Sequence, residues 1–491
     1  MSANLAAMLY ATLAIGLAML VLPGEALAEN KIRGPAVWFL SALLLFFFDD
    51  TLLIFLFLFI ILAVLSSTAP AQRVAFFILA APAFPFYLQE YLPFPGINYL
   101  TLLDYYRVAS FTLLVPLLFI PRPPDLPRID WTLTDSCVAV YVLYTSAMVC
   151  GAENFTSGLR FLIDQLLLVA APYFALTRAV RRPEDVDTCI RAFLVASAIL
   201  AVIALAATSK QWDFYRFKEP PSPAALPDFR AGFLRIAATA NTHSLGFHLA
   251  ACIVLLEYLK TRIPFGFLRL WGLRIMLSGG LYFTGSRGTI TALITAIGVY
   301  VVLSVRSSGL RWILVIAMAV GAAAAGSWLL SGDSAEFDPY GTFDYRQQLL
   351  ITSLQYIADH PLLGSVHFIR SGRFDALIQG QGIIDITNLY LQVALRFGLI
   401  GLTLFFLPFL LTLYRLAFTK RDNMVEPGVD RMRFTLCAIV TGWLVLIATT
   451  SDVGLTLHLG LVLLALARPL VPSKSRAPQP STAQAALGAS R

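Results

Sequence analysis

Two arginines, Arg235 and Arg287, stand beside apolar runs that have the length and character of membrane helices, and a third, Arg346, lies in the long segment between two such runs. A guanidinium is planar, stays charged, and can hold a phosphate through two parallel N–H···O bonds. Near a span it is expensive, at about 2.5–3.5 kcal/mol for the helix centre and less towards the ends. Its presence there therefore needs a compensating role. Arg287 lies in Tyr282-Phe283-Thr284-Gly285-Ser286-Arg287-Gly288, where the glycines let a ligand or another backbone approach. The competing reading is an arginine that snorkels to the interface. Arg235 sits shortly before the run that follows Asn241, and Arg346 lies in an amphipathic segment. If the three converge on one face, they suit a lipid-linked phosphate or pyrophosphate.

The elements that must position them are membrane helices. Of 491 residues, 58% are hydrophobic and 13% charged, against about 25% charged in ordinary soluble proteins. That excludes a string of soluble domains. The net charge of +7 does not call for nucleic acid, because Lys and Arg cluster in short loops between apolar runs, as membrane orientation requires. The runs predict an all-α polytopic bundle of about 12–15 spans. In the N-terminal third they cover 5–22, 36–48, 51–66, 74–90, 100–120, 132–150 and 159–176. The later ones cover 190–208, 242–259, 270–284, 289–304, 311–330, 388–414, 434–449 and 453–467. Ala26-Leu27-Ala28 after the first run looks like a signal-peptidase site, but no basic residue precedes the run, so it reads as a span.

Successive short basic loops, such as 178–191, 260–274 and 415–433, fall on one side and mark it as cytoplasmic. The chain then divides into N-terminal helices (1–208), an outer loop (209–241), central helices (242–330), a large outer loop (331–386), C-terminal helices (387–467) and a basic tail (468–491). The outer loop 209–241 carries Lys210, Arg216, Lys218, Arg230 and Arg235 against the positive-inside trend. Either translocated loops escape that rule, or these cations meet an anionic ligand. In the large loop, apolar residues at 345, 349, 350, 354 and 357 make one face of a helix lying at the membrane surface. His360-Pro361 stops that helix. His367, Arg370 and Arg373 follow, and Asp385-Ile386-Thr387-Asn388 closes the loop.

Other charges admit structural roles. Arg160 and Asp164 are spaced to pair on one helix, as are Asp104 and Arg107. Asp49-Asp50 reads as a polar turn or as a catalytic acidic pair of the kind found in lipid-phosphosugar glycosyltransferases. The five cysteines, Cys137, Cys150, Cys189, Cys252 and Cys437, show no CxxC spacing and read as buried thiols.

The run Phe283-Thr284-Gly285-Ser286-Arg287-Gly288 resembles a signature of the O-antigen ligase/polymerase superfamily. So do Arg346, His360-Pro361-Leu362-Leu363-Gly364, Asn388-Leu389-Tyr390-Leu391-Gln392 and Phe397-Gly398-Leu399-Ile400-Gly401-Leu402. Arg235 and Asn241 stand where the superfamily has an Arg and an Asn before its central spans, and the likeness covers roughly 230–415. It implies a bacterial inner-membrane enzyme, its site facing the periplasm, that moves a glycan from undecaprenyl pyrophosphate to an acceptor hydroxyl. No cofactor or metal is implied. The implied partners are the lipid-linked glycan and membrane lipids, with a chain-length regulator and a flippase. Arg235, Arg287, Arg346 and Asp385 are then expected to be catalytic, with Asn241, Ser286, Thr387, Asn388 and His367 around the substrate. One departure matters: ligases carry a His before the closing Asn, and here Thr387 stands there. Threonine is a poor base near neutral pH. That favours a polymerase of an exported polysaccharide, with Asp385, Asp344 or His367 as base. The alternatives are a ligase acting on lipid A core, a glycosyltransferase using a lipid monophosphate, and a flippase or exporter without chemistry.

Overall fold

The computed structural model describes residues 2–27, 30–120, 131–216, 218–219, 229–230, 232–305, 307, 309–316, 318, 342–379, 382–418, 427–451 and 456–471. Most of the expected span 311–330, the acidic stretch after it, Gly380-Gln381, the turn at Asp452 and the tail beyond 471 lie outside these residues.

The described chain is all-α apart from two short hairpins. The helices are α1 (Ala3–Val21), α2 (Arg33–Phe47), α3 (Thr51–Leu65), α4 (Pro70–Ala80), α5 (Tyr105–Phe119), α6 (Leu133–Ala152), α7 (Phe155–Ala179) and α8 (Pro183–Lys210). Then come α9 (Thr242–Leu259), α10 (Phe267–Phe283), α11 (Arg287–Ser304), α12 (Thr342–Asp359), α13 (Leu389–Phe418), α14 (Pro427–Ile447) and α15 (Thr456–Ala467). Among the described residues, seven helices are long and apolar enough to cross a membrane: α1, α6, α7, α8, α9, α11 and α13. Shorter apolar helices, α2–α5 among them, accompany these. The chain is a multi-pass membrane protein.

The packing has the polarity expected of lipid surroundings. On α1, Ala7, Ala11, Ala14 and Ala18 face inward while Leu5, Leu9, Leu13 and Leu17 are exposed. Small residues let helices approach, and large apolar ones meet lipid tails. Helix α8 is the central post, packed by α1, α4, α9 and α10. Pro183 and the acidic pair Glu184, Asp185 start it, as the exposed N–H groups and helix dipole favour, and Gln211 ends it in a left-handed conformation. Helix α11 lies close against α14 and α9. A Cβ at Gly442 would come within 2.7 Å of the Ala292 carbonyl, and one at Gly246 within 2.7 Å of Thr289 Oγ1.

Several expectations need correction. The run 74–90 is not one span: α4 stops at Ala80, where Pro82 and Pro85 follow. Residues beyond it form a hairpin of β1 (Gln89–Tyr91) with β2 (Leu102–Asp104), so the run 100–120 begins as helix only at Tyr105. Helix α11 begins at Arg287, two residues before the expected run 289–304. Asp164 pairs with Arg107 at 3.0 Å. Arg160 instead donates to the Tyr99 carbonyl at 2.9 Å and lies over the Tyr99 ring. The α12 face is also split. Leu349, Tyr356 and Ser353 are buried, whereas Leu350, Ile351 and Leu354 are exposed.

The large loop is pinned to a break in α13. Gly398 has φ +66° inside that helix, and Gly364 has φ +63°. Their backbones touch: a Cβ at Gly398 would lie 2.1 Å from the Leu362 carbonyl. The break releases polar groups, and the loop satisfies them. Leu399 N donates to Pro361 O at 2.8 Å, Ser365 N donates to Leu395 O at 2.8 Å, and Tyr144 OH donates to Phe397 O at 2.9 Å. The two motifs Pro361–Gly364 and Phe397–Leu402 are therefore halves of one joint. Under α12 the loop has its own small core of Leu349, Tyr356, Phe368, Phe374, Leu377, Ile386 and Leu395.

Candidate functional site

The starts of α9, α11, α13 and α15 meet the ends of α10 and α14 at one end of the bundle. The preceding hairpin, β3 (Phe229–Arg230) with β4 (Phe233–Leu234), aims two arginines at the α10–α11 turn. Arg230 donates to the Gly285 carbonyl at 3.0 Å. Arg235 donates through Nε to Thr284 O at 3.1 Å and through one terminal nitrogen to Thr242 Oγ1 at 2.9 Å. Its side chain runs across Gly285, where an added Cβ would stand 2.9 Å from Arg235 Cγ. Gly285 also has φ +60°, so a side chain is excluded both by conformation and by space. These carbonyl and hydroxyl acceptors fix the orientation of the guanidinium groups.

The segment after Arg235 is held from behind. The buried Asp213 carboxylate accepts from Ala237 N at 2.8 Å and Ala238 N at 3.1 Å. Ala238 has φ +52°, a strained value for a residue with a Cβ. Burial pushes the Asp213 carboxyl up to about 6, with the two backbone N–H groups and Arg216 opposing.

His243, one residue inside α9, sits at the middle of the cluster. Its Nδ1 is 2.8 Å from Ser286 Oγ, and its ring lies in the field of Arg235, Arg346 and Arg230. Ser286 stands at the N-cap of α11, where a serine normally accepts from the first turn. Here it makes no such bond, because its hydroxyl is turned to His243. Arg287 follows at the head of α11 with its side chain exposed. Asn241 caps α9, accepting from Ser244 N at 2.6 Å.

The large loop delivers the third arginine. Arg346, on α12, donates to the Thr449 carbonyl at 3.3 Å. Thr449 packs on Gly288 of α11, where an added Cβ would meet Thr449 Oγ1 at 2.4 Å. Asp385 faces Arg346 and bonds to Ser451. Burial holds its carboxyl above the ordinary range, the largest influence, with Ser451 and Arg346 opposing. The Asp385 backbone is clamped by Tyr345, whose hydroxyl donates to Asp385 O at 2.8 Å and accepts from Asp385 N at 3.1 Å.

The outcome for the sequence-derived residues is mixed. Arg235, Ser286, Arg346 and Asp385 come together, joined by Arg230, with Arg287 beside them at the α11 start. Asn388 caps α13 through a bond from Leu391 N at 3.2 Å, and Thr387 N donates to Asp385 O at 3.0 Å. His367 lies elsewhere, 3.4 Å from the Ala152 carbonyl at the end of α6. The exposed Asp344 sits in the first turn of α12. The remaining loop cations are engaged apart from the cluster: Arg216 with Glu219, Lys218 with Asp49, and Lys210 over Tyr10. Asp50 caps α3, so Asp49-Asp50 forms the polar turn.

His243 was not singled out by the sequence. Its only signal was a histidine placed at the start of an apolar run, directly after Asn241-Thr242, in a chain with five histidines.

Residues 271–406 match the family described as O-antigen ligase. The likeness to the O-antigen ligase/polymerase superfamily extends over this segment of the chain. The matched segment runs from α10 through α11 and α12 into α13, and so holds Arg287, Arg346, Asp385 and both halves of the Gly364–Gly398 joint. Arg230, Arg235 and His243 lie before it and reach the O-antigen ligase segment through the α10–α11 turn. No curated protein matches the chain.

Proposed function

We propose that the protein is a polysaccharide polymerase that joins undecaprenyl-pyrophosphate-linked repeat units at the periplasmic face of the inner membrane. The observation that carries this reading is the gathering of Arg230, Arg235 and Arg346 around the His243–Ser286 pair, at a helix start that lacks a side-chain cap. Such a place suits a diphosphate: oriented N–H groups and guanidinium groups meet charge as it develops.

In the proposed reaction the bond between the donor sugar's anomeric carbon and the pyrophosphate oxygen breaks, and its electron pair leaves with undecaprenyl pyrophosphate. The acceptor hydroxyl oxygen forms the new glycosidic bond. Its proton goes to Asp385, whose buried carboxyl is nearer neutral pH than a solvated one. Arg235 and Arg230, fixed on the α10–α11 turn, bind the leaving group. Arg346 links this group to the α12 loop, which covers the site and limits hydrolysis by water. Ligation to a different acceptor would use the same donor chemistry.

The test is reconstitution of purified protein in vesicles with lipid-linked repeat units as the only glycan. A ladder of products, each one repeat longer, is expected. Products that appear only after a lipid A core acceptor is added would make the protein a ligase. Movement of lipid-linked glycan across the bilayer without any new glycosidic bond would overturn the enzymatic reading.

A further inference from the structure

A second polar place lies beside the arginine cluster, outside the O-antigen ligase segment. Asp104 caps α5, accepting from Arg107 N at 2.8 Å, and its other oxygen pairs with the Arg107 guanidinium. Arg107 Nε also donates to Asp164 at 3.0 Å, and Asp164 accepts from Thr101 Oγ1 at 2.7 Å. Two carboxylates thus flank one cation. Asp104 and Arg107 border a cavity of about 190 Å³, whose lining also includes Tyr106, Gln165 and His458. That is room for far more than one water, on the scale of a sugar ring.

Three polar atoms of lining residues are buried without a hydrogen-bond partner: Tyr105 OH, Tyr106 OH, on a side chain 6% exposed, and Gln165 Oε1. Orphaned buried polar atoms are uncommon and mark a place that a ligand or water completes. Tyr106 stacks on His458 with ring centroids 4.0 Å apart. His458 Nδ1 is 3.3 Å from the Leu168 carbonyl. A carbonyl only accepts, so Nδ1 carries the proton and Nε2 is left as an acceptor. The backbone around the cavity is irregular too. Both α5 and α7 widen into a π turn, at Ser110–Leu114 and at Leu166–Ala170, and the second follows directly on Gln165. Such turns cost helix regularity and recur at functional sites.

Hydrogen bonds tie the cavity's surroundings to the segments that carry the arginine cluster. Thr239, four residues after Arg235, donates to Pro82 O at 2.5 Å and accepts from Phe86 N at 3.2 Å, and Phe86 lines the cavity. On the other side Thr456 Oγ1 is 2.9 Å from Ser244 Oγ, next to His243, and His458 follows two residues on.

We infer that this cavity binds an uncharged sugar of the acceptor glycan, through Asp104, Gln165, Tyr106 and His458, and so presents an acceptor hydroxyl to the cluster beside it. Carboxylate and amide oxygens accept from sugar hydroxyls, and aromatic rings cover the C–H face of a pyranose. Arg107, flanked by two carboxylates, is a poor site for a phosphate. The inference rests on the polymerase reading, and its test separates the two. The probe is the repeat-unit oligosaccharide freed from lipid and phosphate, mixed with the full-length protein in nanodiscs and followed by saturation-transfer NMR. Wild type is expected to bind it, Gln165→Leu and Tyr106→Phe to weaken binding about tenfold or more, and Arg235→Ala to leave binding unchanged. Inorganic pyrophosphate should not displace it. No binding by wild type, equal binding by wild type and both cavity variants, or displacement by pyrophosphate would overturn the inference. None of these results depends on whether glycosidic bonds form, which the vesicle assay reads by itself.

Discussion

Two charged places sit side by side at one end of this bundle, and they are built on opposite principles. Around His243 three arginines gather, with the Asp385 carboxyl set against Arg346. Arg230 and Arg235 donate to carbonyls and a hydroxyl, which orient their guanidinium groups. Around Arg107 the cation is enclosed by Asp104 and Asp164, and the orphaned atoms are neutral. In a low-dielectric setting, like charges brought together are costly until a counter-charge arrives. The first place is therefore suited to an anion, and the second to a neutral ligand rich in hydroxyls. A transferase with a diphosphate donor and a sugar acceptor needs one of each.

Breaking the anionic side should have the largest effect. Arg235→Ala should lower polymer formation by about 10³-fold, the upper range for removing a donor to a developing charge. Lipid-linked repeat units should accumulate, with membrane insertion unchanged on a fractionation gel. Near-normal chain lengths would end the contrast between the two places.

Asp385→Asn should follow, with a loss of about 10² in turnover at neutral pH. Because burial raises this carboxyl, wild-type turnover should fall on acidification at a pH above the ordinary carboxylate range, and the variant should lose that limb. An unaltered pH profile would move the base elsewhere, His243 being the neighbour to test.

Gly285→Ala tests geometry without touching a charge. The methyl group would strain a φ of +60° and press on Arg235 Cγ, so activity should drop roughly tenfold through misplacement of the arginine. Full activity would show that Arg235 need not lie across the turn.

The smallest effect concerns Asp213, which braces the segment behind Arg235. Burial pushes its carboxyl up to about 6, above the ordinary carboxylate range. The folded state thus holds the proton more tightly than the unfolded chain. That contribution to stability is present below about pH 4 and is lost as pH rises to about 6. Melting temperature measured between pH 4 and 8 should carry this slope in wild type and lose it in Asp213→Asn. A slope that persists in the variant would assign it to another group.

Much of the fold was legible in the residues. Lipid demands that backbone polar groups be satisfied within each segment, so apolar runs of sufficient length fix where helices lie, as at 242–259. Proline and glycine were legible in part. His360-Pro361 ended α12 as expected, yet nothing in the sequence said that Gly364 would lie against Gly398, since that contact joins two backbones with no side-chain pattern to betray it. The same limit applied to charges. Spacing offered Arg160 as a partner for Asp164, and Arg107 took the role because the β1–β2 hairpin and α5 bring it there.

The sequence by itself determined a membrane bundle and singled out Arg235, Arg287 and Arg346 as costly charges near its outer face, because hydropathy and residue chemistry are local properties. Only the tertiary structure decided which arginines share a space, that His243 stands among them, and that a cavity with orphaned polar atoms opens beside them. Those are relations between segments far apart in the chain. They are set by how helix ends pack against one another, which no single segment encodes.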